Sequence, residues 1–238
     1  MTAWAMKRFW TRADASPEGE GFGVRLDGKP VRTPGKAPLI VPTEALARAI
    51  AVEWDAQEGI VQPATMPFTR GANAAIDKVV PQFDEVAALI AAYGETDLLC
   101  YRAETPEALH ARQVAAWDSL LEWSAADLNA TLVFTHAIVP CAQPAESLQR
   151  LSGLVRTQTP FQLTALSDLV GISGSLVLGF AVARGRLDPE TAWQVSRIDE
   201  TWQNELWGID EEAAAAEAIR KRDFLLAARF HALCSHGG

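Results

Sequence analysis

The chain has 238 residues, 49% hydrophobic and 21% charged, with a net charge of −9. That length supports one large domain or two small ones around a true core, and the acidic balance excludes phosphate backbones as a general partner, because like charges repel. The three cysteines, Cys100, Cys141 and Cys234, are odd in number and far apart, which excludes a secreted disulfide framework and a cysteine metal site. They read as buried, reduced thiols of a cytosol-like compartment.

The opening residues, MTAWAMKRFW, lack the apolar stretch of a signal peptide. Asp14, Glu18 and Glu20 turn the chain acidic too soon for a full mitochondrial presequence. The longest apolar run, 169–183, is bracketed by Asp168 and Arg184. It falls short of the roughly 20 residues that cross a bilayer, so no membrane span is expected.

Residues 7–41 read as β-rich. Asp27-Gly28 lies between the short runs 22–26 and 29–33, a two-residue hairpin signal. Pro34-Gly35 marks a second turn and 39–41 a third strand. The result is a small antiparallel meander in which the strand holding Pro30 belongs at an edge. A helix follows, with Thr43 as N-cap, Glu44 in its first turn, and Leu46, Ala49, Ile50 and Trp54 on its apolar face. Gly59 is expected to stop it. Sheet and helix make a two-layer α/β module, and 62–68 reads as a connection or an irregular edge strand.

From Thr69 the pattern is helical almost to the end. Thr69, Asn73 and Asp77 share a face. Phe83, Val86, Leu89, Ile90 and Tyr93 mark a helix closed by Gly94, and 98–102 is a short apolar link. Pro106 suits the first turn of a helix carrying Leu109, Gln113, Trp117, Leu120 and Leu121. Residues 132–139 alternate weakly and fit a strand or a buried loop, and 146–156 form a short helix. Residues 163–184 read as one buried helix or two, with Gly171, Ser175, Gly179 and Ala183 repeating every four residues as a smooth packing groove.

Asp188-Pro189-Glu190 then opens a helix over 191–211, bent or ended by Gly208. Asp210, Glu211 and Glu212 start a terminal helix whose apolar face includes Ile219, Leu226, Phe230 and Leu233. The fold class is α+β. A two-layer α/β domain, antiparallel meander plus helix, spans 1–80, and a mainly α-helical domain spans 81–238.

The stretch 191–211, TAWQVSRIDETWQNELWGIDE, carries two stripes when wound at about 100° per residue. Val195, Ile198, Trp202, Leu206 and Ile209 form a core-facing stripe. Trp193, Glu200 and Trp207 recur at heptad spacing on a second, flanked by Ser196, Gln203 and Asn204. Either this helix is buried on both sides or its second face recognises something.

Reactive chemistry has little support. No phosphate loop, dinucleotide fingerprint or zincin helix occurs. His110, His136, His231 and His236 show no ligand spacing, so no metal and no cofactor is expected. GISGS fails as a nucleophile elbow because Ser175 stands where glycine is required. Glu53, beside Trp54 and Asp55, is a carboxylate whose pKa burial would raise.

Seven segments in order, KRFW, VRLDGKPVRTPGKAPLIVPTEALARAIAVEWDAQ, MPFTRGANAAID, ETDLLCYRA, QVAAWDSLLEW, SGSLVLGFAVARG and ETWQNELWGIDEE, resemble the assembly chaperones of the ATP synthase catalytic head. They are similar to the α-subunit chaperone, the "ATP-twelve" family. The resemblance covers nearly the whole chain and departs at Arg70-Gly71, where a larger apolar residue is expected.

The resemblance implies a chaperone without enzymatic activity. It implies binding of the unassembled α subunit, shielding of the surface that later faces a β subunit, and release when β arrives. The family's E-x-x-Q-x-x-x-W-G signature falls on Glu200, Gln203, Trp207 and Gly208. Glu200, Gln203, Trp207 and Trp193 are the candidate partner-binding residues, with Glu211 as a fallback to Glu200. The family's E-W-D motif falls on Glu53, Trp54 and Asp55, which are expected to be structural along with Gly208, Trp54 joining its helix to the small sheet.

Glu200 either ties helices together or meets the client. A bacterial cytoplasm, or the mitochondrial matrix for a processed eukaryotic form, would suit such a protein. The alternatives are a small-molecule enzyme using Glu53 or Glu200 as acid/base in an inter-domain cleft, and a scaffold docking through its terminal helix.

Overall fold

The computed structural model describes residues 7–136 and 141–235. These form two compact units, one of residues 7–83, 159–165 and 229–235, the other of residues 84–136, 141–158 and 166–228.

The first unit is built on a small antiparallel sheet. Strand β1 (Ala13–Glu18) pairs with β2 (Gly21–Leu26), Ala13 opposite Leu26 and Glu18 opposite Gly21. Asp27 and Gly28 have φ of 47° and 81°, the left-handed backbone a two-residue hairpin needs to match the strand twist. Strand β3 (Lys29–Pro30) returns along β2, with Pro30 on an edge as expected. Strand β4 (Ile40–Val41) pairs with the start of β2, Val41 opposite Phe22.

Helix α1 (Glu44–Asp55) packs against β1, β2 and β4. Leu46, Ala47 and Ile50 are buried on the helix, and Val24, Leu26 and Val41 in the sheet. The Thr43 hydroxyl accepts the Leu46 N–H at 3.1 Å and donates to the Leu233 carbonyl. The helix ends at Asp55, and Gly59 (φ 64°) lies in the turn beyond it. Arg8 closes the end instead. Its guanidinium donates to the carbonyls of Asp55 and Gln57, each at 2.6 Å, satisfying groups a helix C-terminus leaves free.

Helix α2 (Pro67–Ala74) runs into a π-helical stretch, Ala75–Val79, then a 3₁₀ turn and α3 (Phe83–Ala91). Asp77 accepts from the Thr33 hydroxyl at 2.6 Å and the Gly35 N–H at 2.8 Å, which pins the Pro34-Gly35 turn. The departure at Arg70-Gly71 has a packing reason. A Cβ on Gly71 would stand 2.9 Å from Cε2 of Phe230, whose ring fills the space of the missing side chain and stacks on Phe68 with centroids 6.5 Å apart. Gly71→Leu should therefore destabilise by about 1–3 kcal/mol through overpacking. Gly71→Leu with Phe230→Ala should recover part of that in thermal unfolding. A double variant worse than the sum of both singles would refute the exchange.

The second unit is helical. Helix α4 (Glu107–Asp127) has Pro106 at its N-cap rather than inside its first turn. Helix α5 covers Ala145–Arg156. Residues 163–184 fall in two helices, α6 (Pro160–Ser173) and α7 (Leu176–Ala183), separated at Gly174 (φ 75°).

The four small residues are thus split between two helices, and no single groove exists. Ser175 is the N-cap of α7, accepting the Leu178 N–H at 3.0 Å. A Cβ at Gly179 would stand 2.6 Å from Cγ2 of Val170. Asp97, fully buried, accepts from Val177 N–H and Leu99 N–H at 3.0 Å each at this corner.

Leu98–Cys100 is a 3₁₀ turn, and Tyr101 bridges to Thr135 without forming a strand. The rest of the 132–139 stretch, from residue 137, lies outside the described residues, as does His236. Cys100 and Cys234 are buried, and burial pushes both thiols up to about 12, while Cys141 is only half-buried.

The terminal helix, α10 (Glu211–Cys234), buries Phe224, Ala227, Ala228 and Phe230. Ile219 is 53% exposed, so the expected apolar face begins later than predicted. Among the described residues no helix is long and apolar enough to cross a membrane.

Candidate functional site

The stretch 191–211 is not one helix. Helix α8 (Pro189–Ser196) is capped by Asp188, which accepts the Thr191 N–H at 3.0 Å, and α9 (Ile198–Trp207) starts after a break at Arg197. Side chains take the carbonyls that would continue the helix. The Ser196 hydroxyl donates back to Trp193 O at 2.7 Å, and Trp117 Nε1 donates to Val195 O at 2.9 Å. Such competition for backbone acceptors disfavours helix continuation.

The break separates the two tryptophans. Trp193 is 4% exposed and packs with Phe224, Leu169 and Ala192 in a core cluster. Trp207 is 84% exposed. Leu206 and Ile209, expected in the core, are 58% and 71% exposed, and Trp202 is half-buried. Helix α9 ends at Gly208, so Ile209 does not continue the helical stripe that Leu206 belongs to.

Helix α4 holds α9. Gln113 donates to Asp199 at 2.6 Å while its own oxygen accepts the Ala103 N–H at 2.7 Å. Arg112 pairs with Glu205 at 2.8 Å and lies over the Trp202 ring at 4.8 Å. The Arg112 bond holds the Glu205 carboxyl below its ordinary pKa. With Asp199 and Glu205 engaged by α4, the stripe left exposed is Glu200, Gln203 and Trp207.

Among the described residues, Glu200 forms its ion pair with Arg197, one turn back on the same segment. Asp199 and Glu205, which sequence reasoning passed over, link α9 to α4 through Gln113 and Arg112. Gly208 (φ 85°) ends α9, and Glu211 opens α10 on the exposed side. An open groove of about 360 Å³ beside α9 is lined by residues including Arg112, Arg197, Ile198, Thr201 and Lys221.

Glu53, Trp54 and Asp55 form a clamp in the first unit. Glu53 accepts the N–H groups of Phe68 and Thr69 and the Thr69 hydroxyl, each at 2.7 Å, so it caps the start of α2 from α1. Burial pushes its carboxyl pKa up, against those bonds. The Trp54 ring meets Trp10 edge-on at 5.3 Å, and Trp10 Nε1 donates to Trp54 O at 3.3 Å. Asp55 accepts the Ala13 N–H at 3.1 Å and sits 3.5 Å from Arg8.

His110 bonds the Ala103 carbonyl at 3.0 Å, and among the described residues no group of three metal-ligating side chains occurs.

Helix α9, braced by α4, thus presents Glu200, Gln203 and Trp207 to solvent. Residues 7–125 match the model of the ATP12 chaperone protein family. The structure is similar to the crystal structure of Atp12 from Paracoccus denitrificans, with 51% identity, a TM-score of 0.94, and coverage of 96% of this chain and 98% of that one. It is similar to the Atu1473 protein of Agrobacterium tumefaciens, with 38% identity, a TM-score of 0.91, and coverage of 96% and 86%. Protein atp12, mitochondrial, of Schizosaccharomyces pombe is 26% identical over 223 residues, 88% of this chain and 76% of that protein. The chain belongs to the ATP12 chaperone family.

Proposed function

We propose that this chaperone binds the unassembled α subunit of ATP synthase, shields the surface that later faces a β subunit, and leaves when β arrives. Family membership supports the chaperone role, and the exposed Glu200–Gln203–Trp207 stripe carries the choice of surface. An orphan subunit of an obligate ring exposes large apolar interfaces that aggregate. A cover that β displaces by mass action needs no nucleotide hydrolysis. Glu53 is committed to α2 and Glu200 is exposed and paired with Arg197, so neither carboxylate favours the acid/base alternative. The fission-yeast relative is named mitochondrial; the bacterial cytoplasm, or the matrix for a processed eukaryotic form, suits the role.

Co-purification with an α subunit, with and without added β, tests this reading, and retention of α after β is added would overturn the exchange step. Glu200→Lys breaks the pair between a half-exposed Glu200 and a largely buried Arg197 side chain. It should melt within a few degrees of the parent yet fail to prevent α-subunit aggregation. A large drop in melting temperature would make Glu200 structural.

A further inference from the structure

Where α9 turns into α10, nine consecutive residues, 205–213, are exposed. Three are large and apolar, Leu206, Trp207 and Ile209. The corner is built rather than loose. The Gly208 N–H donates to Asn204 O at 3.0 Å to close α9, and Asp210 accepts the Ala213 N–H at 2.8 Å to open α10. Gly208 at φ 85° takes a backbone that side chains disfavour. Trp207 is therefore held out in solvent by hydrogen-bonded backbone.

Charge identifies what covers it. The 22 residues 198–219 contain seven carboxylates and no Lys, Arg or His. Asp199, Glu200 and Glu205 are engaged by Gln113, Arg197 and Arg112, but the exposed Asp210, Glu211 and Glu212 follow the apolar tip directly, and on a chain of net charge −9 they repel a second copy of the tip, anionic lipid and nucleic acid alike. The tip fits an apolar protein pocket bordered by Lys and Arg.

We propose that this elbow is the lead contact with such a pocket. The proposal rests on the function proposed above, which places the pocket on the unassembled α subunit. The carboxylates steer the encounter and govern association. Trp207 enters the pocket and governs dissociation, while Leu206 and Ile209 exclude water from its rim.

Binding kinetics of the purified chain on isolated α subunit, across a salt series, test it. Trp207→Ser should weaken binding by about 30-fold or more, chiefly through faster dissociation, with the melting temperature unchanged. The double variant Glu211→Gln, Glu212→Gln should slow association several-fold and flatten its salt dependence while leaving dissociation unchanged. If Trp207→Ser binds within twofold of the parent, or association ignores salt, the elbow proposal falls and the functional reading stands. If the parent chain captures no α subunit, the functional reading falls and the elbow's pocket with it. A Trp207-dependent dimer, or Trp207-dependent binding to phosphatidylserine vesicles, would overturn the proposal by giving the tip another occupant.

Discussion

A Glu53→Ala variant should melt about 6–12 °C below the parent chain. The change strands two buried backbone N–H groups at the start of α2 and the Thr69 hydroxyl, all of which bond one carboxylate at 2.7 Å. Hydrogen bonds to a charged group contribute about 1.5–3 kcal/mol each and do not add fully, so about 3 kcal/mol is expected. For a chain of this size each kcal/mol moves the midpoint by about 2–4 °C. A loss below about 1 kcal/mol would show that water replaces the carboxylate.

The pH dependence has a definite sign. Burial raises the folded pKa of Glu53 above 4.5, although the Thr69 and Phe68 bonds and Arg70 pull it down. The folded state then holds the proton more readily than the unfolded state. This residue's contribution is therefore greatest on the acid side and declines as pH rises through the window above 4.5. Asp97, raised above 3.8 by burial, acts in the same direction. Urea midpoints of the parent and of Glu53→Gln, compared from about pH 4 to about pH 7, should diverge in that sense.

Trp117→Ala should cost the second unit about 3–5 kcal/mol. The side chain has no solvent exposure and supports the Arg102 guanidinium, 5.0 Å above its ring, while Arg102 reaches Asp118 at 2.8 Å. Trp117→Phe separates packing from positioning. It keeps an aromatic ring in the core but frees the Val195 carbonyl at the end of α8, which the indole holds at 2.9 Å. A modest loss of about 1 kcal/mol should accompany weaker client binding, because α9 loses one of its fixed points. Unchanged client binding by Trp117→Phe would confine Trp117 to stability.

Local chemistry was readable residue by residue where the backbone itself demands a residue type. Asp27-Gly28 turns the hairpin, Thr43 and Asp188 cap their helices, and Gly208 ends α9. Strand β1 was not readable as a strand. ADASPE has no β-branched residue and is extended by its ladder to β2.

The break at Arg197 escaped for a different reason. One of the groups that cause it, the Trp117 indole, comes from 78 positions away in the chain. That break sends Trp193 inward and Trp207 outward, although both lie on the same heptad stripe. The family signature pointed to Glu200, Gln203 and Trp207 as a set, and they share an exposed face. Arg112, Gln113 and Asp199 hold that face in place. Their roles were invisible because a tertiary ion pair or side-chain hydrogen bond leaves no periodic trace.

The Phe230 ring over Gly71 and the Thr43 bond to Leu233 also bear on the order of events at the ribosome. The unit that begins with the sheet draws on residues 229–235. Domains usually fold as they emerge, but contacts of such large sequence separation must wait for the late segment and close slowly. The sheet and α1 are synthesised long before residues 229–235, yet the unit they found is completed only after those residues have been translated.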